Sequence, residues 1–177
     1  MGTPRTRDPV PGGGGRAALL IVNPFASRVD EHRLAAVTAA LPAGVETKLT
    51  TASGEATELA RTATGVDAIY IYGGDGTFNE VLNGTRADVP LGFLPGGGTS
   101  VLPRALGLPR DPVEAAKRIS RGRTRRIGLG RVNGRRFGFN AGLGLDAELV
   151  RRVAARPGLG RARRPGARAP RRGRGRR

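Results

Sequence analysis

The chain has 177 residues, 31 of them basic against 14 acidic, and no cysteine. That length holds one ordinary domain, or one domain with a tail. The missing thiols exclude disulfides, thiolate zinc sites and cysteine nucleophiles, and they fit a reducing compartment.

The basic excess is uneven. Residues 151–177 carry twelve arginines and no acid, so most of the formal net charge of +17 belongs to that stretch. Residues 1–16, ending in four consecutive glycines, read as a flexible leader. Met1–Thr6 also fits a loose N-myristoylation pattern, but Pro4 and the glycine run favour a disordered start. Ala17–Val22 is an aliphatic run suited to a buried strand and far too short to cross a bilayer. The polar N-terminus has no signal-peptide core, which points to a cytoplasmic protein.

After Asn23-Pro24, Leu34, Val37 and Leu41 stand at helical spacing behind a candidate cap, Asp30. Val45–Thr50 alternates like a strand. A helix is predicted after Ser53, with Ala56, Leu59, Ala60 and Ala63 on one face. Asp67–Tyr72 is a third strand and runs into the turn Gly73-Gly74-Asp75-Gly76. Leu91–Leu94 is a fourth, leading to Pro95-Gly96-Gly97-Gly98 and a short helix over 99–106. Asp111-Pro112 opens another helix to about residue 119.

Strand and helix alternating in this way predict an α/β fold: a Rossmann-like parallel sheet with helices on both faces. Residues 17–122 form that domain. From about residue 123 the pattern changes, with two strands predicted over 124–132 and 135–143 around Asn133-Gly134, a hairpin signal. Residues 123–155 thus read as the start of a β-rich second domain, with a helix over 146–153, and residues 156–177 as a disordered arginine-rich tail. The sole histidine, His32, falls at an exposed helix start and receives no role.

The stretch "GGDGTFNEVLNG" (73–84) carries the chemistry. Thr77 and Glu80 have capping-box spacing, so a helix is predicted to start at Thr77 and to stop at Asn83-Gly84. Unpaired N–H groups at a helix N-terminus beside glycines favour an anion. Asp75 opposes that, since a carboxylate repels phosphate. A divalent cation resolves the conflict, because Mg²⁺ is commonly held by one or two carboxylates together with substrate phosphates. Two readings of Asp75 stand: it positions Mg²⁺–nucleotide through water, or it stabilises a tight turn. There is no Gly-Lys-Ser/Thr phosphate loop, and no G-x-G-x-x-G opens the first helix.

The same stretch resembles the signature of the diacylglycerol kinase catalytic domain family, which includes bacterial lipid kinases and the sphingosine and ceramide kinases. "IVNPFAS" (21–27), "TTASGEA" (50–56), "LGFLPGGGTSVLPRALGLP" (91–109) and "FGFNAGLGLDAELV" (137–150) resemble further family segments in the same order. A lone GGDGT would also suit NAD kinases and phosphofructokinases, and an NAD kinase-like phosphotransferase is the alternative enzyme.

The resemblance implies transfer of the ATP γ-phosphate to a lipid alcohol such as diacylglycerol, with Mg²⁺. It places nucleotide contacts on Asn23, Thr50, Gly73, Gly74, Asp75, Gly76, Thr77, Phe78, Asn79 and Thr99, with Asp75 as the Mg–ATP partner.

The chain departs from the family pattern in two places. Ser100-Val101 stand where members often carry Asn-Asp, and the Asp-Gly-Glu that supplies the family's general base does not occur. No acid follows Glu148. The resemblance therefore implies a chain truncated before the end of its second domain, binding nucleotide but without the base. The tail has three readings: a basic arm for peripheral association with anionic membrane, an inert disordered segment, or GC-rich coding sequence read out of frame. The last fits the absence of periodicity and aromatics, and nucleic acid is the less favoured partner.

Overall fold

The computed structural model describes residues 17–139. The expectations for the leader over 1–16, the helix over 146–153 and the tail over 156–177 lie outside the described residues. The first strand, β1 (Ala18–Val22), is the aliphatic run, and all five of its residues are buried. A strand buried on both faces must lie inside a sheet covered on both sides. Accordingly, β1 pairs in parallel with β2 (Val45–Leu49) on one side and β3 (Ala68–Gly73) on the other, and β3 pairs in parallel with β4 (Leu91–Pro95). The order is β2-β1-β3-β4.

Successive strand residues point to opposite faces, and each face has its own core. Leu19, Ile21, Ile69, Ile71 and Phe93 pack against α2 (Glu55–Thr62) and α3 (Asp75–Gly84). In that layer Phe78 meets Phe93 edge to face, with ring centroids 5.4 Å apart at 82°, a favoured aromatic geometry. On the other face Leu20, Val22, Tyr70, Tyr72 and Leu94 pack against α1 (Glu31–Ala40) and α5 (Pro112–Ser120). Burial pushes the Tyr72 phenol up to about 12, and its hydroxyl donates to the Arg28 carbonyl at 2.9 Å. The doubly covered parallel sheet is the predicted α/β fold.

Two helix starts follow the sequence reading. Asp30 accepts from Arg33 N at 2.8 Å, and Asp111 accepts from Val113 N and Glu114 N, both at 2.9 Å, with Pro112 in the first turn.

The third start differs. α3 begins at Asp75, two residues before Thr77, because the Gly74 carbonyl already accepts from Phe78 N at 3.1 Å. Thr77 is therefore buried inside the helix, and the capping box with Glu80 does not form. The helix does end at Gly84, as expected, but with Thr85 as its cap and no left-handed conformation at the glycine. Gly84 is needed for packing, since a Cβ there would collide with the Thr57 carbonyl on α2.

After β4 come the short α4 (Val101–Ala105), α5, and a hairpin of β5 (Gly130–Val132) and β6 (Arg135–Phe137). Asn133 and Gly134 both have positive φ, 47° and 79°, as the two-residue hairpin turn requires. The strands are shorter than predicted. Residues 124–129 pair with nothing among the described residues and are mostly exposed, while residues 140–143 lie outside the description. Two side chains hold the hairpin to α3: Asn83 Nδ2 donates to Arg136 O at 2.9 Å and its Oδ1 accepts from Arg136 N at 2.8 Å, while Arg136 Nη2 donates to the carbonyl of the capping Thr85 at 2.8 Å.

Candidate functional site

Parallel strands align their C-terminal ends, so the loops that follow them gather along one edge of the sheet. The registers Val22↔Leu49, Val22↔Tyr72 and Gly73↔Pro95 bring Asn23, Thr50, Gly74 and Gly96 to that edge. The chain goes from β1 to β2 on one side and then returns to β3 on the other, which makes β1/β3 a topological switch point. Open α/β sheets bind ligands at such points. A cleft of about 370 Å³ opens here, between the loops after β1 and β2 and the first turns of α3.

Two backbone features shape it. The glycine turns after β3 and β4 pack directly on each other: Gly96 N donates to Gly73 O at 2.7 Å, and a Cβ on Gly97 would stand 2.9 Å from Gly74 Cα. Side chains there would push the turns apart. Gly76 is different, because a Cβ on it would meet nothing within 4 Å and the residue lines the cleft. No atom of the described residues explains that glycine; the space is open for a ligand brought close to the helix backbone. The positive end of α3 and its first unpaired N–H groups lie beside it, which suits phosphate.

Asn23 spans the switch point. Its Nδ2 donates to Thr77 Oγ1 at 3.1 Å, and its Oδ1 accepts from Phe25 N at 2.9 Å. On the other flank the Glu55 carboxylate accepts from Thr51 N, from Thr51 Oγ1 at 2.9 Å and from Ala52 N at 3.2 Å. Those bonds, the Thr51 backbone bond foremost, hold the exposed Glu55 carboxyl below the usual carboxylate range.

Asp75, first residue of α3, turns Oδ1 onto Val101 N at 2.8 Å. It thus links the two glycine turns, while its second oxygen makes no hydrogen bond among the described residues. Among those residues no three His, Cys, Asp or Glu side chains gather as a metal cage. The donor set is one carboxylate beside a phosphate-sized space, which fits Mg²⁺ arriving with a nucleotide.

Residues 17–132 match the family described as Diacylglycerol kinase catalytic domain, two thirds of the chain. This chain belongs to the diacylglycerol kinase catalytic domain family. A diacylglycerol kinase of Bacillus subtilis (strain 168) is 39% identical over 145 residues, 76% of this chain and 48% of that protein. One of Mycobacterium tuberculosis (strain ATCC 25618 / H37Rv) is 40% identical over 97 residues, 50% of this chain and 31% of that protein. The crystal structure of a diacylglycerol kinase from Bacillus anthracis str. Sterne superposes with a TM-score of 0.62 at 35% identity, covering 69% of this chain and 45% of that one. The diacylglycerol kinase-family chain thus spans about half the length of these relatives, or less.

Within this diacylglycerol kinase-family domain, five of the residues singled out from sequence line the cleft: Asn23, Thr50, Gly74, Gly76 and Thr77. Gly73 is buried at the end of β3, and Asp75 stands beside the cleft in the bond to Val101. The Phe78 ring is in the core, and Asn79 offers its carbonyl to Asn83 Nδ2 at 2.8 Å. Thr99 is exposed in the second glycine turn, in a separate shallow depression with Arg28 and Arg104. Sequence reasoning missed Phe25, Thr51, Ser53 and Glu80 on the cleft wall. Only Phe25 carried a signal, an aromatic directly after a strand-ending Asn-Pro.

Proposed function

We propose that this chain is the nucleotide-binding part of an ATP-dependent lipid kinase of the diacylglycerol type, which transfers the ATP γ-phosphate to a lipid hydroxyl. The observation that carries the reading is Gly76, a glycine open to a cleft at the switch point beside the N-terminus of α3. Gly74, Gly76 and Thr77 would cradle the phosphates with their backbone N–H groups. Asn23 and Thr50 line the same space, and Asp75 would hold Mg²⁺ through water with its second oxygen. Bound Mg²⁺ supplies charge neutralisation on the phosphates, while the chain's own residues position the donor; phosphoryl transfer draws chiefly on those two effects.

The lipid cleft belongs to the β-rich region that the β5–β6 hairpin begins. The reading makes the protein cytoplasmic, with peripheral contact to the membrane that holds its acceptor. No helix among the described residues is long and apolar enough to cross one.

Asp75 is the residue to test, and two substitutions separate its two roles. Asp75→Asn keeps an oxygen for Val101 N but removes the charge, whereas Asp75→Ala removes both. Calorimetric titration of the 177-residue chain with ATP, with and without Mg²⁺, is expected to show Mg²⁺-dependent binding. Both variants should weaken it roughly tenfold or more. If the wild-type chain shows no ATP binding at millimolar nucleotide, the reading fails. If Asp75→Asn binds as wild type, Asp75 serves only the link between the turns.

A further inference from the structure

One cleft side chain has no part in the phosphate cradle. Phe25 is 53% exposed, whereas Tyr70, Tyr72, Phe78 and Phe93 are all buried. It stands in the turn after β1, on the cleft wall with Ala26 and Ala52. A phenyl ring in water gains by covering its face with another apolar or aromatic surface.

Its placement is fixed by the same side chain that reaches the cradle. The Asn23 amide accepts from Phe25 N and donates to Thr77 Oγ1, so the aromatic turn and the first turn of α3 are tied through one residue. The sheet order sets the span between them. Phe25 and Ala52 sit in the loops after β1 and β2, while Gly74 and Gly97 sit in the turns after β3 and β4. Neighbouring strands lie about 4.8 Å apart, so the apolar end and the phosphate end are separated by one to three strand widths, room for a ribose. A ligand that fits both ends is anionic at one terminus and carries a flat ring at the other.

We propose that Phe25 is the platform on which the nucleobase stacks, and that it sets the preference of the cleft for a nucleotide over a bare polyphosphate. The proposal rests on the nucleotide reading of the cleft. Base–aromatic stacking needs only the π face, so Phe25 gives affinity for a base without selecting among bases.

The chain has no tryptophan, so Phe25→Trp places the sole indole on the cleft wall. Its fluorescence is expected to be quenched by MgATP and not by Mg-tripolyphosphate. In direct titrations of the full chain, Phe25→Ala should bind MgATP about tenfold more weakly. Its affinity for Mg-tripolyphosphate should match wild type, and Phe25→Tyr should keep wild-type affinity for both. The proposal is overturned if Phe25→Ala binds MgATP as wild type or loses both ligands equally. It is also overturned if the variant loses only binding to diacylglycerol micelles, which would make a lipid the occupant. Failure of the nucleotide reading looks different: the wild-type chain then binds neither ATP nor tripolyphosphate.

Discussion

Ser100 holds one of the two positive-φ non-glycine positions among the described residues, at φ 48° and ψ 56°, and it is buried. An L-residue in that region costs about 1–2 kcal/mol, partly offset here by the bond from Ser100 Oγ to Gly97 O at 3.2 Å. The conformation has a consequence one residue on, where it presents Val101 N to Asp75 Oδ1. Ser100→Gly exchanges the lost side-chain bond for relief of strain, and its unfolding free energy is expected to stay within about 1 kcal/mol of wild type. Ser100→Val adds β-branching where it fits worst and should cost about 2 kcal/mol or more. Denaturant unfolding of the two variants checks the difference; equal stabilities would mean that the turn is not strained. The bond to Asp75 uses the main-chain N–H of residue 101, so it does not depend on the Val101 side chain, and the acid that Asn-Asp would add here is absent from Ser100-Val101.

At the scale of elements, α2 carries a pH-sensitive contact. Its first residue, Glu55, folds back on the loop after β2 and accepts from Thr51 and Ala52, two residues of the cleft wall. The folded carboxyl titrates below the ordinary glutamate range, about 4.3 in unfolded chains. A lowered folded value means that the contact stabilises the loop above the unfolded pKa and is lost as pH falls through the folded one. The amide resonances of Thr51 and Ala52 should therefore move together below about pH 4.3. The transition should vanish in Glu55→Gln. Amides that shift at the same pH in the variant would place the titration elsewhere. The adjoining α2–α3 contact also depends on proximity, with Thr57 Oγ1 donating to Glu80 O at 3.0 Å next to Gly84.

For the whole molecule, the sheet edge gathers the residues proposed to hold the phosphate donor, while the proposed reaction also needs an acceptor and a base. Activating a hydroxyl by general base typically contributes a factor on the order of a hundred or more. No Asp-Gly-Glu stands in the 177 residues, and no acid follows Glu148. The chain tested alone, with MgATP and diacylglycerol in mixed micelles, is expected to bind nucleotide and give no lipid phosphorylation above background. Robust turnover would place the base on a residue of this chain, with Glu80 on the cleft wall the first to substitute.

Period and punctuation in the sequence sufficed for the four strands of the parallel sheet, the caps Asp30 and Asp111, the hairpin turn and the α/β class, because these depend on neighbours a few residues apart. The GGDGT stretch and its ordered companions sufficed for the family. Contacts between distant segments decided the rest. Thr77 looks like a helix cap locally, yet α3 starts two residues earlier and buries it, and its hydroxyl accepts instead from Asn23, 54 positions away. Gly84 ends α3 as its position suggests, but the need for glycine there comes from packing against the Thr57 carbonyl. Asp75 reads as a lone acid in a phosphate loop until Val101 N meets it across the second glycine turn. Phe25 becomes a wall of the site only when the switch in strand order sets its turn beside the cradle. Sequence spacing encodes local backbone preference; which loops share an edge of the sheet follows from the order in which strands pair, and that order is settled by packing.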